Sequence, residues 1–169
     1  MFMKSWVVRY TGAIVVGLMY KIFYIIFSPL TINSTFFLLD PFFNVIMKGN
    51  SLVFDAVTFS FIPACTAASA YLLLTVLILL TKGIDYRKGL KMFIVGSAAI
   101  LIMNIVRIIT LILVRLNLGK NYFDSLHLVF WYGVSTLFVV FVWITLVKLY
   151  NVKGIPVVSD MKAIWKYFQ

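Results

Sequence analysis

Residues 92–114 read MFIVGSAAILIMNIVRIITLILV, an apolar run interrupted only by small residues and by Asn104 and Arg107. Wound as a helix at ~1.5 Å per residue, the run covers about 35 Å, enough for a hydrocarbon core of ~30 Å. An arginine near the middle of such a span costs ~2.5–3.5 kcal/mol on insertion scales, so Arg107 needs acceptors or water. Three further stretches have the same character: about Val7 to Phe27, ending before Ser28-Pro29, about Ile62 to Thr81, and about Ser125 to Val147. The first resembles the charged and apolar regions of a signal peptide. Lys21 interrupts it and no small-residue cleavage site follows, so a retained signal anchor is expected.

The whole composition agrees with that run. The chain is 63% hydrophobic and 12% charged, with a mean hydropathy of +1.07. A soluble domain carries about 25% charged residues. This balance argues against a free globule, a disordered chain and a disulfide scaffold; a lone cysteine, Cys65, cannot close an intramolecular disulfide. The net charge is +10, with no Glu and five Asp (Asp40, Asp55, Asp85, Asp124, Asp160). Nucleic acid is not an expected partner, because the basic residues flank the apolar runs rather than gathering on one wet face.

Their distribution sets an orientation. Lys4 and Arg9, then Lys82, Arg87, Lys88 and Lys91, then Lys148, Lys153, Lys162 and Lys166 fall on one side of four spans; Lys48, Arg115 and Lys120 fall on the other. The expected fold is therefore an all-α polytopic membrane protein, a single domain over 1–169, with both termini cytoplasmic in a plasma membrane. Residues 29–61 face outward. Within them, Phe36 to Met47 is expected to lie at the interface or re-enter. Gly49-Asn50 is a turn signal, and Ser51 to Phe61 partly alternates, which predicts a short hairpin capping the bundle. Asn33-Ser34-Thr35 matches a glycosylation sequon on that side. In the tail over 148–169, Met161, Ile164, Trp165 and Phe168 recur with helical spacing, with Lys162 and Lys166 opposite, predicting an interfacial amphipathic helix.

Polar groups inside spans are where function is sought, since the bilayer makes them costly. Cys65, Arg107 and His127 lie on three different spans. Counted from the cytoplasmic ends they sit roughly 26, 24 and 32 Å up, one layer in the outer half. Cys65 follows Pro63-Ala64. In a first helical turn its thiol would meet unpaired N–H groups and the positive helix end, which favours a nucleophilic thiolate. The small residues Ala64 to Ala70 leave room for a helix or peptide to approach. Asn104 and Arg107 share a helix face. Asp55, Asp124, a thiolate or a substrate carbonyl are candidate partners for Arg107, which could steady an oxyanion. His127 can accept a thiol proton and return it to an amine, and Asp124 could orient the ring. The plainer alternatives are a packing cysteine, a snorkelling arginine and a histidine capping a helix start. Lys21 reads as a snorkelling outer-leaflet lysine, with a site-lining cation as the alternative. No metal-ligand cluster and no glycine-rich phosphate loop is present, so no cofactor is expected.

Gly49-Asn50-Ser51-Leu52, Ile62-Pro63-Ala64-Cys65-Thr66-Ala67-Ala68-Ser69, Asn104-x-x-Arg107, and His127 with Gly133 downstream together resemble the exosortase/archaeosortase family, in the form of a short member. Thr66-Ala67 stands where that family more often has Ser-Gly. The resemblance spans about residues 49–133. It implies a membrane-embedded cysteine transpeptidase, or peptidase, with Cys65 as nucleophile and Arg107 and His127 as the other catalytic members; Asn104 and Asp124 support them. It implies as partners surface proteins ending in a tripartite sorting signal, cleaved outside the membrane, with a membrane lipid as acceptor of the new carboxyl end. The competing expectation is a non-enzymatic assembly subunit or a small anion carrier. Simple proteolysis, with water as acceptor, is a third.

Overall fold

A computed structural model describes residues 2–54 and 57–152 of the chain. Most of it is helical: α1 (Phe2–Leu18), α2 (Tyr20–Leu39), α3 (Ala68–Leu80), α4 (Tyr86–Asn117), α5 (Lys120–Val129) and α6 (Ser135–Leu149). Three short strands, β1 (Val45–Lys48), β2 (Ser51–Phe54) and β3 (Val57–Ser60), form an antiparallel sheet in the order β1-β2-β3. Among the described residues two helices, α2 and α4, are long and apolar enough to cross a membrane. The amphipathic helix expected over Met161 to Phe168 lies outside the described residues, as does Asp55.

Several boundaries differ from the sequence expectation. The first apolar helix does not stop before Ser28-Pro29. It breaks instead at Met19, which leaves the helical region at φ −90°, ψ 22°, and α2 then runs through Pro29 to Leu39. An internal proline costs a helix about 3 kcal/mol. Here that cost is opposed by burial on the far side of the proline, where Ile32 and Leu39 pack with Ile108 and Ile112 of α4. Residues 36–47 are the end of α2, a bend and β1. The Asn33 sequon falls inside α2 rather than in a loop.

The hairpin expected over residues 51–61 is present as β2 and β3, but β1 joins it to make three strands. Gly49 takes φ +57° in the two-residue connection between β1 and β2, a conformation glycine adopts without a Cβ penalty. Before α3 the chain makes a separate 3-10 turn, Pro63–Thr66, followed by Ala67 at φ +54°. Cys65 is thus in that turn and not in the first turn of an α-helix. With 13 residues, α3 is only about 20 Å long. The third apolar run sits wholly inside α4. The fourth is covered by α5, a π-helical turn at Phe130–Val134 and α6.

Two apolar cores follow from this arrangement. One joins α2, α3, α4 and α6 through Phe27, Tyr71, Leu74, Met92, Trp143 and Leu146. Within it Phe27 stacks on Tyr71 with ring centroids 3.5 Å apart and planes 7° off parallel. The other packs the sheet onto α2 and α4 through Leu39, Leu52, Phe54, Phe61, Ile108 and Ile112. The Cys65 turn sits at their junction: Cys65 packs against the sheet core and Ala68 belongs to the helical one. At the end of the bundle away from the sheet, Arg9 donates to the Leu80 carbonyl (3.2 Å) and Lys88 to the Tyr150 carbonyl (3.0 Å). Both cations sit on helix C-terminal carbonyls, where positive charge is favoured.

Candidate functional site

The site begins with a buried arginine and what it holds. Arg107 is 9% exposed and Asn104 4% exposed, on one face of α4. The Asn104 side-chain amide donates to the Cys65 carbonyl at 2.9 Å. Arg107 Nη2 points to the same carbonyl at 3.3 Å and to that of Ala64 at 3.4 Å, and Nη1 donates to Ser135 Oγ at 2.9 Å. Ser135 Oγ in turn donates to the Phe130 carbonyl at 2.7 Å. One guanidinium therefore ties the Cys65 turn to the start of α6. Arg107 Nε and Asn104 Oδ1 are buried with no hydrogen-bond partner, at a typical cost of about 1–3 kcal/mol each.

This geometry gives Arg107 partners in the backbone of the Cys65 turn. Asp55 is outside the described residues, and Asp124 is exposed on α5. The terminal nitrogens of Arg107 bond to the carbonyls of the Cys65 turn and to Ser135, and its Nε has no partner among the described residues. The π-helical turn explains how Ser135 comes within reach. A π turn inserts an extra residue into the helical ladder, freeing the Phe130 carbonyl for Ser135, whose backbone N–H and hydroxyl both bond to it.

Cys65 also borders a second space. Cys65 is half-buried and lines a cavity of about 280 Å³ together with His127 and Arg115, flanked by Phe59, Ile108 and Phe123. The imidazole sits in an aromatic row: Phe59 to Phe123 is 6.2 Å between centroids, Phe123 to His127 5.5 Å, and His127 to Trp131 6.5 Å with planes 16° apart. That row fixes the ring. Asp124, expected to orient it, is exposed on α5 and is not among these neighbours. The Cys65 turn thus meets Arg107 through its carbonyl, and Cys65 and His127 line one cavity.

Residues that sequence reading passed over are Ser135, Phe59, Phe123 and Arg115. Arg115 had been read as part of a loop; it lies in the last turn of α4 and faces the cavity. Ser135 and Gly133, weak helix formers inside an apolar run, were the available signal for an irregular turn there. Among the described residues no three His, Cys, Asp or Glu side chains gather as metal ligands. No protein-family model, curated protein or solved structure significantly matches the chain.

Proposed function

We propose that the protein is a membrane-embedded cysteine transpeptidase or peptidase that acts on the carboxyl-terminal sorting signal of surface proteins. The single observation supporting it most is that Cys65 and His127 line one cavity, with the Cys65 carbonyl held by Asn104 and Arg107. In this reading His127 takes the thiol proton and Cys65 Sγ attacks the scissile carbonyl. The tetrahedral species collapses, the leaving amine takes the proton from His127, and a thioester remains. A second nucleophile, a lipid amine or hydroxyl or water, then releases the new carboxyl end. Arg107 and Asn104 are positioning residues that set where the thiol stands.

The accompanying topology has four membrane crossings in a plasma membrane, with both termini in the cytoplasm and the cavity facing outside. It is supported by the charge pattern. Arg9, Lys82, Lys88 and Lys91 mark the end of the bundle opposite the sheet, and the positive-inside tendency puts that end in the cytoplasm. Helix α4 crosses entirely, while α3 reaches across only with the Pro63–Thr66 turn and the sheet above it.

The deciding experiment is the intact mass of a tail-bearing surface protein from the same genome, produced with the wild-type chain or with Cys65→Ala. Loss of the tail with wild type alone supports the reading, and mass added at the new end separates transfer from hydrolysis. An intact tail with both, at equal expression, would end it in favour of a non-enzymatic role.

A further inference from the structure

We infer that the free edge of β3 is the substrate-binding element: an extended peptide adds to it as a fourth strand, with a carboxylate side chain paired to Arg115. The inference rests on the reading of Cys65 as nucleophile, and it deepens that reading by assigning how the substrate is held.

The backbone register carries it. β2 and β3 pair with Ser51 opposite Ser60, Leu52 opposite Phe59, Val53 opposite Thr58 and Phe54 opposite Val57. Continuing that register, the Phe61 N–H donates to the Asn50 carbonyl at 2.9 Å. Hydrogen-bonded and non-hydrogen-bonded pairs alternate along an antiparallel ladder. Phe61, Phe59 and Val57 therefore turn their N–H and C=O groups toward β2, and Thr58 and Ser60 turn theirs away. The 3.0 Å contact between Ser51 Oγ and Ser60 Oγ agrees, because side chains approach most closely at non-hydrogen-bonded pairs. In the order β1-β2-β3, no strand covers the outer edge of β3 among the described residues. Thr58 and Ser60 are exposed.

That edge borders the cavity. Every residue from Val57 to Ile62 lines it, and so do Cys65, His127 and Arg115. An unpaired strand edge is a template for an extended chain, with main-chain bonds giving affinity and alternate side-chain pockets giving selectivity. Two outward residues offer two N–H donors and two carbonyl acceptors, enough to register a short segment. The space beyond is apolar, walled by Phe59, Ile108 and Leu111, and fits a peptide's apolar side chains. Arg115 is the permanent cation in that wall. Among the described residues it has no hydrogen bond or ion pair. A guanidinium in a largely apolar cavity wall selects a carboxylate. The occupant is thus an extended acidic peptide with its backbone on Thr58 and Ser60 and its scissile carbonyl within reach of Cys65.

The test uses the full chain in lipid nanodiscs, carrying Cys65→Ala so that nothing is turned over. A pool of randomised decapeptides is passed over it, and the retained peptides are sequenced by mass spectrometry. Enrichment of Asp and Glu is expected, and it should vanish in Arg115→Gln. In Thr58→Pro, which removes an outward N–H without touching the ladder to β2, retention should fall about tenfold or more. Should that variant fold poorly, a pool of backbone N-methylated decapeptides on the unaltered sheet should show the same fall. Equal retention by all proteins and both pools would overturn the inference, as would a dimer cross-linked through β3. If processing in cells proceeds unchanged in Thr58→Pro and Arg115→Gln, strand addition fails while the transpeptidase reading stands. If peptides bind as expected but no surface protein shows Cys65-dependent processing, the reverse holds.

Discussion

Replacing Gly96 by alanine should destabilise the bundle, whereas the same change at Gly12 should not. A Cβ built at Gly96 would stand 2.7 Å from a Leu74 methyl and 2.8 Å from a Leu146 methyl. Ordinary carbon contacts lie at ~3.5–4.0 Å, so each overlap approaches 1 Å. The two leucines belong to different helices, α3 and α6, which converge on α4 at this glycine. Relief on one side pushes the methyl into the other, and both leucines are buried in the same core. Overpacking of this kind costs about 1–3 kcal/mol. At about 2–4 °C per kcal/mol for a chain of this size, the melting temperature should fall by about 2–12 °C. A Cβ at Gly12 meets nothing within 4 Å. There, alanine should be neutral or stabilising by about 0.5–1 kcal/mol, because glycine is the poorer helix former. The assay is thermal unfolding of the two variants in one detergent, with Gly96→Ala/Leu74→Val as a third protein expected to recover part of the loss. Equal melting temperatures for Gly96→Ala and Gly12→Ala would refute the idea that Gly96 is where three helices lock.

Other consequences concern the loop around Cys65. Arg107→Lys keeps the charge but cannot reach Ser135 and the Ala64 and Cys65 carbonyls together. Losing one charge-assisted bond, about 1.5–3 kcal/mol, should lower processing about 10- to 150-fold at unchanged expression, and undiminished processing would show that charge alone matters. Asn104→Ala removes the 2.9 Å bond to the same carbonyl and should cost about 1 kcal/mol in a melting experiment. Ser135→Ala leaves Arg107 Nη1 without its acceptor, so the melting temperature should drop, while Ser135→Thr should restore it; equal stability of the two would show that the hydroxyl is dispensable. Asp124→Asn should leave processing within about twofold, as for surface changes generally, and a large loss would reinstate Asp124 as the partner of His127.

Much of this molecule was legible in residues 92–114 and in the other apolar runs. A helix closes its hydrogen bonds within itself, so apolar stretches of this length with few polar interruptions announce α4 and most of α3 and α6 by composition alone. Gly49-Asn50 and the alternation after it announced β2 and β3 for a similar reason, since turn chemistry and strand period are local. Asn104 and Arg107, read as sharing one helix face, do share it. What residue spacing could not supply was direction around each helix and the identity of the partner. Among the described residues Arg107 grips backbone carbonyls and Ser135, because a π-helical turn just before Ser135 brings that hydroxyl into range. The passage of α2 through Pro29 and the recruitment of β1 were decided by packing against α4 and pairing with β2. These are long-range contacts whose energy outweighs a local preference, and a preference read residue by residue contains no record of them.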